Sequence, residues 1–356
     1  MEQKKRALIA MSGGVDSSVA VHLMQQQGYE CVGATMRLYE PQHCEDGTCG
    51  SSSAVEDARK VAEHHGIAFH ALDYRKDFEK EVLCRFVETY EAGGTPNPCV
   101  ECNHYMKFGR LMQKMEEAGC ECIVTGHYVR VEYEEKYKQR VLKKGLDESK
   151  DQSYVLYNLT KEQLEHCEFP LGGYSKDKIR ELAEELGLFN AGKKDSQDIC
   201  FVPDGDYAGF IESYTGKTYE EGNFVTKDGE VLGRHKGMIR YTIGQRKGLG
   251  LSLKEPMYVC EKRMDTNEVV LCRNEELFGN YLEAEAVNWM VPVSVGERVS
   301  CKAKARYKQK EADAVVEIMD DNLAKVTFAE PQRGITKGQS VVFYDGDIVL
   351  GGGVIM

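Results

Sequence analysis

Long apolar runs are absent from this 356-residue chain, and none approaches the roughly 18 residues that a membrane-spanning helix needs. The basic start is followed by only five apolar residues before Ser12, too few for the apolar core of a secretory signal. Internal repeats and low-complexity segments are also missing. These absences exclude a membrane-spanning protein and predict a cytoplasmic location.

A regular, even set of cysteines is absent too, because 13 cysteines are scattered along the chain. This is not the pattern of a disulfide framework, so we expect buried, metal-binding or reactive thiols in a reducing compartment. The net charge of −12 argues, taken alone, against a nucleic-acid partner.

Two basic segments without acidic residues nevertheless interrupt this acidic composition. One spans 233–253, and the other places a basic residue at every second position: Lys302, Lys304, Arg306, Lys308 and Lys310. Alternate side chains of a strand share a face, so the second segment predicts a basic stripe of about 25 Å. An ordinary solvated strand face is the alternative, but the two segments together favour an extended polyanion bound across domains.

A glycine loop near the start carries the clearest chemistry. Residues 7–11 predict a short buried strand, Ser-Gly-Gly-Val-Asp-Ser follows at 12–17, and a helix begins near Ser17. Glycines permit close approach of the backbone to an anion, and the helix N-terminus offers N–H groups that favour phosphate. A Walker loop needs a lysine before its serine, and none is present. The spacing instead resembles the pyrophosphate-loop enzymes, which cleave ATP between its α and β phosphates.

Strand and helix patterns alternate up to about residue 200. Strands are predicted at 7–11, 31–36, 67–74 and 122–126, and helices near 17 and at 55–65, 78–90, 103–118 and 179–186. Such alternation predicts an α/β fold with a parallel sheet and a ligand crevice at the strand C-termini. A hairpin is expected at 223–233, and short strands from 281 onward predict a small β-barrel. The expected domains are 1–202, 203–278 and 279–356.

Two cysteines stand in distinctive segments. Thr-Pro-Asn-Pro at 95–98 is stiffened by its prolines and leads to Cys102, which is expected at the start of the 103–118 helix. A helix N-terminus favours a thiolate. Cys200 follows a polar stretch far along the chain. Spacing alone does not show whether the two thiols meet.

Several motifs occur together in order. After the glycine loop come Thr-Pro-Asn-Pro-x-x-x-Cys-Asn, Thr-Gly-His-Tyr at 125–128, Lys-Asp-Gln-Ser-Tyr at 150–154, the Cys200 segment, Gly-Gln-Arg-Lys-Gly-Leu-Gly at 244–250 and Gly-Gln-Ser-Val-Val-Phe-Tyr at 338–344. As a set they resemble the bacterial tRNA-specific 2-thiouridylase family, and the resemblance runs from 7 to 353. It implies a Rossmann-like, HUP-type catalytic domain, a small central domain and a C-terminal β-barrel-like domain.

The resemblance also implies a reaction. ATP, with Mg²⁺, adenylates the C2 oxygen of a wobble uridine in tRNA, and a persulfide on Cys200 delivers sulfur to C2. Cys102 then attacks the persulfide, which leaves a Cys102–Cys200 disulfide. The implied partners are tRNA and a cysteine desulfurase or a sulfur-relay protein, with no membrane.

Site residues are carried over position by position. The resemblance implies that the ATP site comprises Ala10, Met11, Ser12, Gly13, Gly14, Val15, Asp16, Ser17, Met36 and Gly126. It implies that the target base faces Asn97, Pro98 and Cys99. The implied tRNA contacts are His127, Lys150, Asp151, Gln152, Arg306, Tyr307 and Gln339.

One position departs from the family pattern, and it leaves alternatives open. Many members have Asp where this chain has Cys99, so an acid–base or base-positioning role for that carboxylate is in doubt. Cys99, Cys102 and Cys200 are also suitable ligands for three irons of a 4Fe–4S cluster. Cys44 and Cys49 with Cys99 and Cys102 are a third option, as a zinc site.

Two rival functions also stay open. One is another pyrophosphate-loop enzyme, such as a lysidine-type synthetase or an amide-forming ligase, which would not need the cysteine pair. The other is a redox or metal switch that binds nucleotide and RNA without catalysis.

Overall fold

The computed structural model of this protein describes residues 4–40, 52–193 and 199–356. Its N-terminal strands are β1 (Arg6–Ala10), β2 (Glu30–Arg37), β3 (Ala68–Asp73), β4 (Cys122–Val124), β5 (Val129–Glu134), β6 (Gln139–Lys144) and β7 (Cys167–Glu168). Five of them form a parallel sheet in the order β3-β2-β1-β4-β7. The predicted strands and the α/β class are confirmed.

Helices follow the strands of this sheet. They are α1 (Val15–Gln26), α2 (Ser52–His64), α3 (Arg75–Phe78, Glu79–Leu83 and Cys84–Glu91 in succession), α4 (Pro98–Glu101, Cys102–Arg110 and Leu111–Glu117 in succession), α5 (Lys161–Glu165), α6 (Lys176–Glu185) and α7 (Tyr207–Thr215). The middle parts of α3 and α4 have π-type turns. Along β1, Leu8 packs into the core with α3 and α4, whereas Ala7 and Ile9 pack with α1, α2 and α6. Both faces of the sheet are therefore covered, as its continuous apolar strands require.

Helix α4 begins earlier than the sequence predicts, and this changes the setting of Cys102. The helix begins at Pro98, with Asn97 before it, because proline fits the first turn, where its missing N–H needs no partner. The N–H of Cys102 is bonded to the Pro98 carbonyl. The expectation that Cys102 sits at a helix N-terminus is therefore wrong.

The central part of the chain forms a separate four-stranded sheet. Its strands are β8 (Gly222–Val225), β9 (Val231–His235), β10 (Tyr258–Arg263) and β11 (Glu268–Cys272), in the order β10-β11-β8-β9. The antiparallel β8–β9 pair confirms the predicted hairpin. Short 3₁₀ turns occur at Ser153–Val155, Met238–Arg240 and Asn274–Leu277.

The C-terminal strands close into a barrel. They are β12 (Phe278–Trp289), β13 (Arg298–Lys304), β14 (Ala312–Ile318), β15 (Ala324–Arg333), β16 (Ser340–Asp345) and β17 (Ile348–Ile355). The order β12-β15-β14-β13-β16-β17 is closed by a β12–β17 pairing, which confirms the predicted barrel. The β5–β6 hairpin of the N-terminal part extends this sheet from β17, a join that the sequence did not predict.

The predicted basic stripe does not form on one strand. Strand β13 ends at Lys304, and residues 305–309 form turns before β14. The chain must reverse here, because Ala303 pairs with Ala312 across the hairpin. Only Lys302 and Lys304 lie on the strand, so Arg306, Lys308 and Lys310 belong to its turn and exit.

The N-terminal part, the central part and the barrel share one apolar cluster. It includes Leu8 of β1, Ile239 of the central part and Val342 of β16. In the described segments, none of the helices is long and apolar enough to span a membrane. The domain limits 1–202, 203–278 and 279–356 stay a prediction.

Candidate active site

The loop between β1 and α1 is shaped to receive an anion. Gly13 has a φ of +72°, and a Cβ there would lie 2.7 Å from the carbonyl oxygen of Ala54 in α2. Gly14 precedes the helix in an extended conformation, and no side chain caps the helix. The N–H groups of the first turn therefore face the loop without a capping side chain, an arrangement that binds phosphate.

Hydroxyl and amide groups hold this loop in place. Ser17 Oγ donates to the Gly14 carbonyl at 3.1 Å and accepts from the Ser12 N–H at 3.3 Å. Buried Asn190 donates from Nδ2 to the Gly13 carbonyl at 3.1 Å and to Ser18 Oγ at 3.0 Å. These hydrogen bonds fix the conformation of the loop.

Asp16 is held by two partners that the sequence analysis missed. Lys176 Nζ donates to both carboxylate oxygens, at 2.7 and 2.8 Å, and the Tyr128 hydroxyl donates at 2.8 Å. The Lys176 side chain is only 7% exposed. A buried lysine therefore brings positive charge beside the loop. No motif marked Lys176, because it comes from α6, 160 residues away in sequence.

One pocket opens at the C-terminal ends of β1, β2 and β4. Its lining includes these predicted ATP residues: Ala10, Met11, Ser12, Asp16, Ser17, Met36 and Gly126. The remaining predicted ATP residues, Gly13, Gly14 and Val15, shape the loop and do not line this pocket. Also lining it are Thr125 of the Thr-Gly-His-Tyr motif and three residues that the sequence analysis did not single out: Ala34, Thr35 and Lys107. At Gly126, a Cβ would lie 3.0 Å from Asp16 Cβ, so only glycine lets β4 approach the loop this closely.

His127 and Gln152, predicted as tRNA contacts, line the same pocket. His127 Nδ1 lies 2.7 Å from the Thr125 hydroxyl, and the ring packs beside Phe108 and Phe169. Burial, and then the charge of Lys107, lower the pKa of His127 well below its usual value. His127 is therefore neutral near pH 7 and offers hydrogen bonds rather than charge.

The loop that carries Asp151 and Gln152 is stabilised by hydrogen bonds of these two side chains. Asp151 Oδ1 accepts from the Gly145 N–H at 3.0 Å, and its Oδ2 accepts from the Ser153 hydroxyl at 2.7 Å. Gln152 Oε1 accepts from the Tyr128 N–H at 3.0 Å. Lys150 lies in the same loop. Gln152 therefore joins the nucleotide pocket to this loop.

The predicted base-facing residues lie where this loop meets the barrel. Pro98 is buried and Cys99 is exposed. The Tyr307 hydroxyl donates to the Asp151 carbonyl at 3.4 Å. Burial, and then the charges of Asp151 and Cys99, raise the pKa of Tyr307. The structure therefore brings Cys99, Asp151 and Tyr307 together.

Gln339 of the barrel fixes the proline segment. Its Nε2 donates to the carbonyls of Thr95 and Pro96, at 2.7 and 3.3 Å. The Thr95 N–H in turn donates to the Lys337 carbonyl at 2.9 Å. Asn97, which follows, is half-buried at the start of α4. The barrel thus positions the segment that leads to Cys99.

The two predicted reactive cysteines, Cys102 and Cys200, lie at the main apolar core. Cys102 is part of the large buried cluster, and half-buried Cys200 packs against that cluster. Phe201, next to Cys200, is anchored by Phe78 and Phe86 at ring distances of 5.8 and 5.2 Å. The residues just before Cys200, 194–198, lie outside the described part of the chain.

Three protein-family models match consecutive parts of the chain. They are a tRNA methyl transferase HUP domain over 5–204, a tRNA methyl transferase PRC-barrel domain over 208–273 and an aminomethyltransferase beta-barrel domain over 280–355. The tRNA-specific 2-thiouridylase MnmA of Clostridioides difficile is 47% identical over 100% of this chain and 99% of its own length. Those of Acetivibrio thermocellus and Clostridium acetobutylicum are 47% and 48% identical, each over 99% of both chains. The chain belongs to the tRNA-specific 2-thiouridylase family.

Membership in the 2-thiouridylase family bears on the methyltransferase descriptions of the matching domains and on the use of ATP. The descriptions of the matching protein families refer to methyltransferases, whereas the relatives that match over the full length are 2-thiouridylases. The HUP domain belongs to proteins that use ATP, which agrees with the pocket at the glycine loop.

The sequence left two metal alternatives for the cysteines, a 4Fe–4S cluster and a zinc site. Over 4–40, 52–193 and 199–356, no group of three His, Cys, Asp or Glu side chains is placed to hold a metal. Cys99, Cys102 and Cys200 therefore form no such group there, and the structure does not support a 4Fe–4S cluster on them. Cys44 and Cys49, invoked for zinc, lie outside the described residues.

Proposed function

We propose that this protein uses ATP to convert the wobble uridine of tRNA into 2-thiouridine, with AMP and pyrophosphate as co-products. The observation that carries the proposal is identity of 47% over the full length to tRNA-specific 2-thiouridylases. The open glycine loop and its pocket support the ATP-dependent step.

In the first step, the uridine C2 oxygen attacks the α-phosphorus of ATP and the bond to pyrophosphate breaks. The Ser12–Ser17 loop and the N-terminus of α1 would hold the phosphates, with Lys176 nearby as a buried cation. Asp16 is the carboxylate that faces the pocket and would help to hold Mg²⁺. The metal supplies charge neutralisation of the phosphates when bound.

In the second step, the terminal sulfur of a Cys200 persulfide attacks C2, and the C–O bond to AMP breaks. Cys102 thiolate then attacks Cys200 Sγ and breaks the S–S bond, which leaves C2=S on the base and a Cys102–Cys200 disulfide. A dithiol reductant restores the two thiols. The half-buried position of Cys200 suits a group that meets both a donor and the base.

The base site is proposed beside Cys99, Asp151 and Tyr307, with Asn97 and Pro98 at its edge. Gln152 connects it to the nucleotide pocket, so an extruded uridine there would lie next to ATP. Contacts with the rest of the tRNA are proposed for His127, Lys150, Arg306 and Gln339. The sulfur is proposed to come from a cysteine desulfurase or a relay protein.

The test is incubation of the protein with ATP, Mg²⁺, unmodified tRNA, a dithiol reductant, and a cysteine desulfurase with cysteine as the sulfur donor, followed by nucleoside analysis and a pyrophosphate assay. We expect 2-thiouridine together with pyrophosphate release that depends on tRNA. Pyrophosphate release without 2-thiouridine would instead indicate another pyrophosphate-loop ligase. If tRNA stimulates no pyrophosphate release, the protein is a binding switch and the proposal fails.

A further inference from the structure

Two arginines where the barrel meets the central part are held by neutral groups. Arg306 Nη2 donates to the Ile243 carbonyl at 2.9 Å and to the Thr336 hydroxyl. Arg333 Nε donates to Asn274 Oδ1 at 3.0 Å. Among the residues that the structure describes, neither guanidinium forms an ion pair with Asp or Glu.

Other arginines of the barrel and of the chain just before it form ion pairs. Arg298 pairs with Glu317 at 3.0 Å, and Arg273 pairs with Glu255 at 2.9 Å. The chain carries a net charge of −12, so carboxylates are plentiful. The lack of an acidic partner at Arg306 and Arg333 is therefore a local feature of this site.

The two guanidinium groups converge on a glycine. A Cβ on Gly244 would lie 3.4 Å from Arg333 Nη1 and 3.8 Å from Arg306 Nη1, so both groups lie within 4 Å of one point. Gly244 has a φ of +85°, and Gly334, with a φ of +65°, faces Arg306 in the same way. Two like charges this close repel each other unless an anion lies between them.

The groups around Arg306 and Arg333 leave both guanidinium groups able to bind a ligand. The Arg333 guanidinium lies over the Tyr258 ring, 5.0 Å from its centre. Arg306 Nε is buried and has no hydrogen-bond partner. A buried donor without a partner is costly, and an acceptor supplied by a ligand would satisfy it.

We propose that Arg306 and Arg333, together with the Gly244 turn, bind one phosphodiester group of the tRNA backbone. This inference rests on the proposed function and adds Arg333 and the turn to the expected contacts. Guanidinium groups match phosphate oxygens in pairs, which a single ammonium cannot do. Exposed Arg246 and Lys247, two and three residues after Gly244, extend the positive surface beyond one anion, as a polynucleotide requires.

The location agrees with the base site. Arg306 precedes Tyr307, whose hydroxyl contacts Asp151 beside Cys99. A phosphate held by Arg306 would therefore belong to a nucleotide close to the target uridine. Such a contact fixes the register of the RNA without reading its sequence.

The test compares Arg333→Gln, Arg333→Lys and the control Arg298→Gln. Binding of fluorescent tRNA is measured between about 50 and about 250 mM salt, without ATP or a sulfur donor. We expect Arg333→Gln to weaken binding about tenfold and to lower the salt slope by about 1. Arg333→Lys should weaken binding but keep the slope, because the charge remains while the fork is lost. Arg298→Gln should match the wild type.

An unchanged dissociation constant and slope for Arg333→Gln, with a wild-type unfolding temperature, would overturn this inference alone. If the wild type binds no tRNA, the proposed function fails as well, so the two failures differ. A parallel titration with inorganic phosphate separates the two sources of the anion. Stabilisation of the wild type but not of Arg333→Gln at micromolar phosphate would assign the site to a free anion and overturn the RNA contact.

Discussion

In the proposed function, Cys200 carries the sulfur and Lys176 supports nucleotide binding. Cys200 lies outside the nucleotide pocket, whereas Lys176 binds Asp16, which lines it. Cys200 was marked by its motif, but Lys176 was not. Replacing each one therefore tests a different half of the reaction.

We expect Cys200→Ser to abolish 2-thiouridine formation while ATP binding stays unchanged. A serine hydroxyl cannot carry a transferable sulfur, and the pocket lining does not include Cys200. The measurements are nucleoside analysis with a cysteine desulfurase as donor, and calorimetry with ATP. Cys301→Ser, on strand β13 of the barrel, is the control and should keep full activity. Retained thiolation by Cys200→Ser would remove Cys200 from the mechanism.

Lys176→Met should weaken ATP binding about 10- to 100-fold. Hydrogen bonds to charged groups contribute about 1.5–3 kcal/mol, and this change leaves Asp16 without its cation. Calorimetry with ATP gives the affinity. Lys178→Met is the matched control, because Lys178 lies on the same helix but pairs with exposed Glu181. Equal ATP affinity in both variants would show that Lys176 only supports the fold.

The β1–α1 connection depends on backbone geometry that only glycine provides. Gly13 combines a positive φ with contact to α2, so an added methyl group would push the loop and helix apart. Gly28 ends the same helix with a φ of +86° but has no heavy atom within 4 Å of a Cβ position. Substitutions at Gly13 and Gly28 therefore distinguish the cost of a positive φ from the cost of a steric clash.

Gly13→Ala should lose measurable ATP binding, while Gly28→Ala should keep it. Both substitutions carry the cost of a left-handed residue, about 1–2 kcal/mol, but only Gly13→Ala must displace Ala54. Thermal unfolding and ATP calorimetry on both variants check this. Normal ATP affinity in Gly13→Ala would mean that the loop adapts without help from glycine.

Other elements show where sequence patterns mislead. The alternating basic residues after Arg298 predict one strand, but β13 must turn back after Lys304 to pair with β14. Helix α4 begins at Pro98 because a proline in the first turn costs no hydrogen bond. In both cases the residue pattern is present, but the element ends or begins at a different residue than the pattern predicts. The residues beyond that boundary therefore have a different structural setting.

Contacts between distant parts of the chain complete the site. Gln339, directly before β16, donates to the carbonyls of Thr95 and Pro96, more than 240 residues away in sequence. The β5–β6 hairpin also pairs with β17 of the barrel. The barrel therefore helps to position segments of the N-terminal part, including the one that leads to Cys99.

We expect Gln339→Ala to lower the thiolation rate about 5- to 10-fold and to leave ATP affinity unchanged. A hydrogen bond to a backbone carbonyl contributes about 0.5–1.5 kcal/mol, and its loss frees the segment before Cys99. Single-turnover thiolation and ATP calorimetry measure the two effects. Gln25→Ala, which breaks a bond to the His65 carbonyl far from the pocket, is the control. A parallel loss of ATP affinity would point to general destabilisation instead.

The sequence by itself determined the parallel α/β sheet, the glycine loop, the hairpin and the barrel, because each depends on short-range periodicity and on glycine placement. The sequence also indicated the family, because the motifs occur in order along one chain. Only the tertiary structure decided the partners of these residues: Lys176 on Asp16, Gln339 on the proline segment, and Arg333 beside Arg306. These contacts join residues far apart in sequence, and their geometry depends on how the sheet, the central part and the barrel pack together.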